Sequence, residues 1–316
     1  MGPEGARVSL RVSHVHGEHL AVEAPNGTEI LRYVHRPDPD PFESRKPYAH
    51  PVRTLAGRTV TGYRPNDHRW HKGLQMTASH LSGQNFWGGN SYVHGRGYLA
   101  LPDRVGSMRH DGFGAVTVED RRFGFTEELT WVENGGREWA REVRGIAVHS
   151  VDEEAGSWAL DWSIRLTNIR AEPLVFGSPT TAGRELAGYT GLQWRGPRDF
   201  TGGRVLTPGA EDAGAGKLMG SQGPWLAFTA EHDEVDGHST LVFAHAPENL
   251  DETSAIHESH WFVRSAPVPT VAFSWAFFEE FTLEPGASFD YRYRVVIADG
   301  AWDRDRIAAH LQALPW

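Results

Sequence analysis

Cysteine is absent from the 316 residues, which excludes disulfides, thiolate catalysis and Cys-ligated zinc or iron–sulfur centres. Long apolar runs are missing as well, so no segment reads as a membrane-spanning helix and a membrane is not an expected partner. No Lys/Arg-rich run stands out, and 41 acids against 31 Lys+Arg give a formal charge of -10. That balance argues against nucleic acid and for a small-molecule partner. Gly-x-Gly-x-x-Gly, the P-loop and the Gly-x-Ser-x-Gly elbow do not occur. Hydride transfer with a bound dinucleotide, phosphoryl transfer and serine hydrolysis therefore lack their usual signals. The amino terminus shows no charged segment leading into an apolar one, so no secretory signal is read and a cytoplasmic protein is expected.

What the chain does have is period-two alternation. In Ser157–Thr167, Trp158, Leu160, Trp162, Ile164 and Leu166 point one way and Asp161, Ser163 and Arg165 the other. Phe289, Tyr291, Tyr293 and Val295 repeat the pattern, as half-buried antiparallel strands require. Further strands are expected at Val8–Val12, Leu20–Glu23, Glu29–Val34, Ala115–Glu119, Phe123–Val132, Glu138–Val148, Leu174–Phe176, Trp225–Thr229, Thr240–Ala244 and Thr270–Phe278, punctuated by Gly, Pro, Asn and Asp. Only Asp303–Leu314 reads as a good helix, with Asp303 as N-cap and Ile307, Ala308, Leu311 and Leu314 as its apolar stripe. The sum predicts an all-β fold, a large antiparallel two-sheet β-sandwich with a short C-terminal helix, in one domain over residues 1–316. Arg36–Pro51 and the glycine-dense Arg195–Gly223 resist strand assignment and are expected to be functional loops.

Chemistry concentrates in Asp67-His68-Arg69-Trp70-His71-Lys72-Gly73-Leu74, with His50 and Arg53 upstream and His80 and Trp87 downstream. Imidazole titrates near neutrality and is also the commonest metal ligand. A bend between Pro65 and Gly73 would let His68 and His71 converge, either as metal ligands completed by His80 or Glu127, or as a general acid with an orienting neighbour. The spacing lacks the helical context that makes zinc motifs persuasive. A second constellation, Phe176–Glu185 followed by Gly188–Arg198, offers Tyr189 and Trp194 to stack on a sugar ring and Arg184 and Arg195 to bind hydroxyls or a carboxylate. A third, His257–Ser265, is either a second wall of the same cleft or an edge strand. Glu127-Glu128 and Glu279-Glu280 each put one carboxylate inward if the strands alternate, as a base candidate. Among the twelve tryptophans, Trp70, Trp87, Trp194 and Trp261 sit in polar or glycine-rich contexts that suit a ligand surface.

Tyr48-Ala-His50-Pro-Val-Arg53-Thr54, Asp67-His-Arg-Trp-His71-Lys-Gly73-Leu74, Asn85-Phe86-Trp87-Gly88, Gly183-Arg184, Gly191-Leu-Gln-Trp194-Arg195-Gly196 and Trp261-Phe262-Val263-Arg264 together resemble a bacterial family of unknown function whose members have been labelled "methane oxygenase PmoA". The resemblance runs from about His35 to the C terminus, and Asp-His-x-x-His-x-Gly-Leu is its most specific element. Members often carry a further histidine where this chain has Trp70 or Arg69. The label implies a membrane-embedded copper subunit, which a chain without a spanning segment does not match. Separately, Phe281–Gly286 and the strand after it are similar to the closing hairpin of galactose-mutarotase-like supersandwiches, in which a histidine acid and a glutamate base act on a sugar.

The resulting expectation is a carbohydrate-active enzyme of sugar catabolism, an isomerase, lyase or hydrolase. His68, His71, Asp67 and His50 are the catalytic candidates; Arg53, His80, Trp87, Arg184, Trp194, Arg195, Trp261 and Arg264 are the substrate-binding ones. A metal-dependent hydrolase or lyase with His68, His71 and His80 or His257 as ligands is the alternative, as is a non-catalytic sugar-binding module or accessory subunit. Cofactor, metal and self-association stay open at this level.

Overall fold

Alternation decides the architecture, because each strand buries one face and the buried faces must meet. The computed structural model describes residues 9–211, 214–233, 235–251, 253 and 255–316. One sheet has eight strands in the order Arg11–Val15, His19–Glu23, Glu29–Val34, Tyr48–Val52, Leu74–Thr77, Gly191–Arg195, Thr270–Ser274, His260–Arg264. The other has nine, in the order Ala210–Glu211, Arg204–Thr207, Trp225–Glu231, His238–His245, Ser288–Asp299, Ser157–Asn168, Glu138–Asp152, Arg122–Val132, Ser107–Glu119. Neighbours run antiparallel, and the two sheets pack face to face as a large β-sandwich.

Trp158, Leu160, Trp162, Ile164 and Leu166 are all buried, and their register sets Leu160 opposite Val295 and Trp162 opposite Tyr293. They meet Leu74, Met76, Leu192, Trp194, Val271 and Phe273 from the eight-stranded sheet in one core. The C-terminal helix spans Arg304–Gln312. The Asp303 carboxylate caps it, accepting from the Arg306 backbone N–H at 2.8 Å, and Ile307 anchors it beside Trp302 on the outer face of the nine-stranded sheet.

Three strands at the centre of the smaller sheet were not among those expected: Tyr48–Val52, Leu74–Thr77 and Gly191–Arg195. All three are short and mix polar side chains with apolar ones, which leaves too brief an alternation to mark a strand. The two expected irregular segments are loops only in part. Arg36–Pro51 ends in strand Tyr48–Val52 after a short 3-10 turn, and Arg195–Gly223 holds short strands at Arg204–Thr207 and Ala210–Glu211. Of the expected Val8–Val12 strand, Val8 lies outside the described residues, and the observed strand is Arg11–Val15.

Between the sheets lies a buried polar cluster. Glu127 accepts from the Tyr33 hydroxyl and contacts His110 Nδ1 at 2.6 Å, while the Arg144 guanidinium donates to Tyr33 at 3.0 Å and to Glu142 at 2.7 Å. His35 packs on His110 with ring centres 4.6 Å apart. Burial, with the neighbouring His110 next, pushes His35 down to about 4, and burial pushes His245 down to about 3. Both groups thus have folded-state pKa values below the ordinary 6.5. Below pH 6.5 the unfolded chain binds protons that the folded chain refuses, so stability falls with pH down to about 4. Each histidine contributes a slope of up to about 1.4 kcal/mol per pH unit in that window. The melting temperature is expected to drop steadily from pH 6.5 to 4.5 and to drop less in His35→Gln. A melting temperature unchanged between pH 7 and 4.5 would refute this.

Candidate functional site

The outward residues of the eight-stranded sheet form the floor of a cleft of about 400 Å³. In strand His260–Arg264, Trp261 and Val263 face the core, so Phe262 and Arg264 face out. In the neighbouring strands the outward positions are Thr270, Gln193 and Gln75. An amide ladder joins them: the Gln75 side chain donates to Gln193 Oε1 at 2.8 Å, and Gln193 donates to Thr270 Oγ1 at 3.2 Å. Gln75 also donates to the Trp70 carbonyl at 3.1 Å, tying the floor to the loop above.

That loop carries Asp67, His68, Trp70 and His71. It bends as the turn residues require: His68 and His71 donate backbone N–H bonds to Pro65 and His68 carbonyls at 2.9 Å each. Gly73, with φ +58°, has no room for a Cβ against the Ala49 carbonyl. The bend brings the two imidazoles together, ring centres 4.9 Å apart. Trp70 lies on the Gly88-Gly89 backbone, where a Cβ on Gly89 would overlap the indole. Asn85 Oδ1 accepts from the Trp87 and Gly88 backbone N–H groups at 2.8 and 2.9 Å and holds Trp87 against the cleft. Beneath, the buried Lys46 donates to the Trp87 carbonyl at 2.8 Å, and the buried Lys72 pairs with Glu43 at 3.1 Å.

The two histidines have opposite partners. His68 Nδ1 lies 3.0 Å from Asp67 Oδ2, a close contact off the straight hydrogen-bond line. The buried Arg195 guanidinium donates to His71 Nδ1 at 3.2 Å. Because arginine can only donate, His71 Nδ1 must hold a lone pair, and its proton sits on Nε2. A carboxylate can only accept, so Asp67 selects the His68 tautomer that has its proton on Nδ1 and its lone pair on Nε2. Burial, reinforced by Arg195 and His68, holds His71 well below the ordinary histidine range, so it stays neutral at pH 7. Desolvation opposes ionisation of Asp67, but the adjacent His68 ring, a backbone N–H and the Arg195 charge outweigh it and lower its carboxyl.

Across the cleft stands an aromatic wall. His71 meets the Trp87 indole edge-on at 5.5 Å, Trp87 meets Tyr189 at 4.5 Å, and Tyr189 meets Phe262 at 5.5 Å. The Tyr189 and Tyr98 hydroxyls are 2.8 Å apart, and Arg184 donates to the Tyr98 hydroxyl. Arg264 lies over the Phe262 ring at 5.4 Å.

Of the expected site residues, Asp67, His68, His71, Trp87, Arg184 and Arg264 converge here, with Arg195 directly behind His71. The others do not. His50 stacks on Tyr63 at 4.8 Å and contacts Thr61 Oγ1 at 2.9 Å, and burial pushes it down to about 4. Arg53 pairs with Glu29 at 3.1 Å at the far side of the sheet, and His80 Nε2 lies 3.3 Å from the Tyr92 carbonyl. Trp194 and Trp261 are core residues, each 1% exposed, because strand parity turns them inward when Arg195 and Arg264 turn out. Glu127 is buried between the sheets and Glu279 and Glu280 are exposed, so none supplies a base to the cleft. His257 packs on Phe281 instead. Among the described residues no group of three His, Asp or Glu converges on a point where a metal could sit. The segment His257–Ser265, offered as either a cleft wall or an edge strand, holds the edge strand His260–Arg264, whose Phe262 and Arg264 also line the cleft.

Asn90, Tyr98, Val268 and Thr270 also line the cleft and were not singled out from sequence. Phe262 and Thr270 follow from parity once Arg264 is placed. Tyr98 reaches the site from the hairpin Ser91–Val93/Gly97–Leu99, and no local pattern in the chain announces that.

Fold and cleft define a β-sandwich protein with an aromatic cleft that carries two differently partnered histidines and two arginines. The chain belongs to a family of unknown function, DUF6807, whose model matches residues 22–312. No curated protein matches it. Among solved structures, the GH36 α-galactosidase AgaB from Geobacillus stearothermophilus is 12% identical over 92% of this chain and 41% of that one, with a TM-score of 0.43. The α-galactosidase from Lactobacillus brevis is 9% identical over 96% of this chain and 41% of that one, with a TM-score of 0.42. The chain thus spans less than half the length of either.

Proposed function

We propose that this protein is a carbohydrate-active enzyme in which His68 acts as a base and His71 as a neutral hydrogen-bond donor on a sugar held in the aromatic cleft. One observation carries the reading: the two imidazoles lie side by side with partners of opposite kind, Asp67 on one and Arg195 on the other. His68 Nε2 is then available to take a proton and return it, and His71 Nε2–H is available to donate a hydrogen bond to the oxygen where charge develops. The flat rings of Trp87 and Tyr189 suit the apolar face of a pyranose, while Asn90, Thr270 and the arginines suit its hydroxyls.

In anomer exchange, His68 removes the proton of the anomeric hydroxyl and the C1–O5 bond breaks, giving the open aldehyde. The neutral His71 Nε2–H donates a hydrogen bond to the negative charge developing on the ring oxygen, and the His68 imidazolium then returns the proton to that oxygen. Rotation about C1–C2 followed by the reverse transfers yields the other anomer. Epimerisation, elimination or hydrolysis of an oxidised glycoside would use the same two roles. The metal-dependent hydrolase or lyase reading would need a third ligand that His80, Glu127 and His257, where they lie, do not supply.

A panel of aldoses and uronic acids monitored by proton NMR tests the proposal. Acceleration of anomer exchange or of C–H exchange by the wild-type protein, retained in EDTA, is the expected result. Sugar binding without turnover of any kind, and unaltered by His68→Ala and His71→Ala, would point instead to a non-catalytic sugar-binding module. Trp87→Ala is expected to weaken sugar binding by roughly tenfold, in line with loss of one stacking aromatic; calorimetric affinity equal to wild type would remove Trp87 from the ligand surface.

A further inference from the structure

We infer that the sugar taken by this cleft is anionic, its charged substituent held between Arg184 and Arg264; this rests on the sugar reading above. The carboxylate available in the cleft is Asp67, and it is engaged by His68 at 3.0 Å and Arg198 at 3.6 Å. Arg184 and Arg264 have no carboxylate partner among the described residues. Arg184 meets the Tyr98 hydroxyl and lies 4.8 Å over the same ring, and Arg264 lies over Phe262. In a chain of net charge -10, two guanidiniums lining one cleft without a counter-ion are conspicuous; the buried Arg195 and Lys46 behind the cleft wall donate instead to His71 and to the Trp87 carbonyl.

The energetics agree. Arg264 is half-buried, and desolvation followed by repulsion from Arg184 lowers its affinity for its proton. An oxyanion between the two offsets both penalties. Each guanidinium carbon lies over an aromatic ring, and apart from the Arg184 bond to Tyr98 the guanidinium N–H groups have no carboxylate to serve, which leaves them for the bidentate recognition that arginine gives to carboxylate or phosphate oxygens.

Placement then identifies which part of the sugar is charged. The contacts run from His71 through Trp87, Tyr189 and Phe262 to Arg264 without a break. The histidines are at one end and the arginines at the other, with the stacking rings between. A sugar whose reacting carbon meets the histidines therefore carries its charge at a position remote from that carbon. The shared chemistry is an oxyanion, as the carboxylate of a hexuronate or the phosphate of a hexose 6-phosphate.

Calorimetry on the full chain tests this with glucuronate, galacturonate, glucose 6-phosphate, glucose, galactose, acetate and inorganic phosphate. An anionic sugar should bind at least about tenfold more tightly than its neutral counterpart, and the advantage should shrink as salt is raised. Arg184→Gln and Arg264→Gln should each bring the anionic sugar toward the neutral one's affinity, and Arg264→Lys should recover only part of it. Preference for a uronate over the 6-phosphate, or the reverse, identifies the source of the charge. Equal affinity for neutral and anionic sugars, or a preference that survives both Gln variants with melting temperatures intact, overturns the inference and leaves the sugar reading standing. Binding of acetate or phosphate with no sugar of either charge removes the sugar reading, and the inference with it.

Discussion

Substituting His68 by alanine is expected to lower turnover of the sugar substrate by about two to four orders of magnitude, with little change in melting temperature. The side chain is part-exposed and its one close polar partner is Asp67, so its loss opens no core cavity. What disappears is the Nε2 lone pair next to the His71 N–H. Asp67→Asn should cost less but act in the same direction. An amide can donate to Nδ1 as well as accept from it, and the wrong tautomer then places the proton on Nε2. His71→Ala should match His68→Ala in rate if the two work on one substrate in one step, and the double variant should be little worse than either. Steady-state kinetics by NMR, read beside thermal melts, separates these outcomes. Wild-type turnover in His68→Ala would end the base assignment.

The largest effect on stability is expected from Trp194→Ala. The indole is 1% exposed, its Nε1–H donates to the Val60 carbonyl at 2.8 Å, and its ring lies 5.1 Å from Phe228 and 5.4 Å from Phe243 across the sandwich. Truncation removes a contact between the two sheets and leaves a buried carbonyl without its donor. A loss on the order of 3–5 kcal/mol in unfolding free energy is expected from the cavity, with the orphaned carbonyl adding to it. Urea denaturation reads that directly. Sugar affinity of the folded fraction should stay near wild type, because the residue does not line the cleft. Trp87→Ala should show the reverse pattern, so the pair distinguishes a core tryptophan from a ligand-facing one. Loss of affinity in Trp194→Ala larger than its loss of stability would contradict the placement.

Much of the fold could be read from period two. Ser157–Asn168 and Ser288–Asp299 sit at the middle of the nine-stranded sheet, one face buried and the other polar, as their alternation requires. The same rule, applied one step further, would have moved Trp194 and Trp261 out of the candidate site. Arg195 and Arg264 stand one and three positions away from them, and odd spacing on a strand means opposite faces. Gly191–Arg195 was not recognisable as a strand because so short an alternation does not mark one. The bend at Asp67–Gly73 was legible from its Pro, Asn and Gly, and with it the meeting of His68 and His71.

The sequence by itself determined the all-β class, the capped C-terminal helix and the location of the imidazole pair, since periodicity, capping and turn chemistry act between residues a few positions apart. The tertiary structure alone decided that His50 and His80 stand apart from that pair, that Arg195 rather than Arg53 stands behind His71, and that Tyr98, Arg184, Tyr189 and Arg264 close one cleft with Trp87. The cleft residues come from hairpins, loops and strands far apart in chain order, His68 and Arg264 by 196 positions. What brings them together is the order of strands in the eight-stranded sheet, where Leu74–Thr77 lies beside Gly191–Arg195, and Thr270–Ser274 beside His260–Arg264. Strand order is set by the shared burial of both sheets, a property of the whole core that no single segment carries.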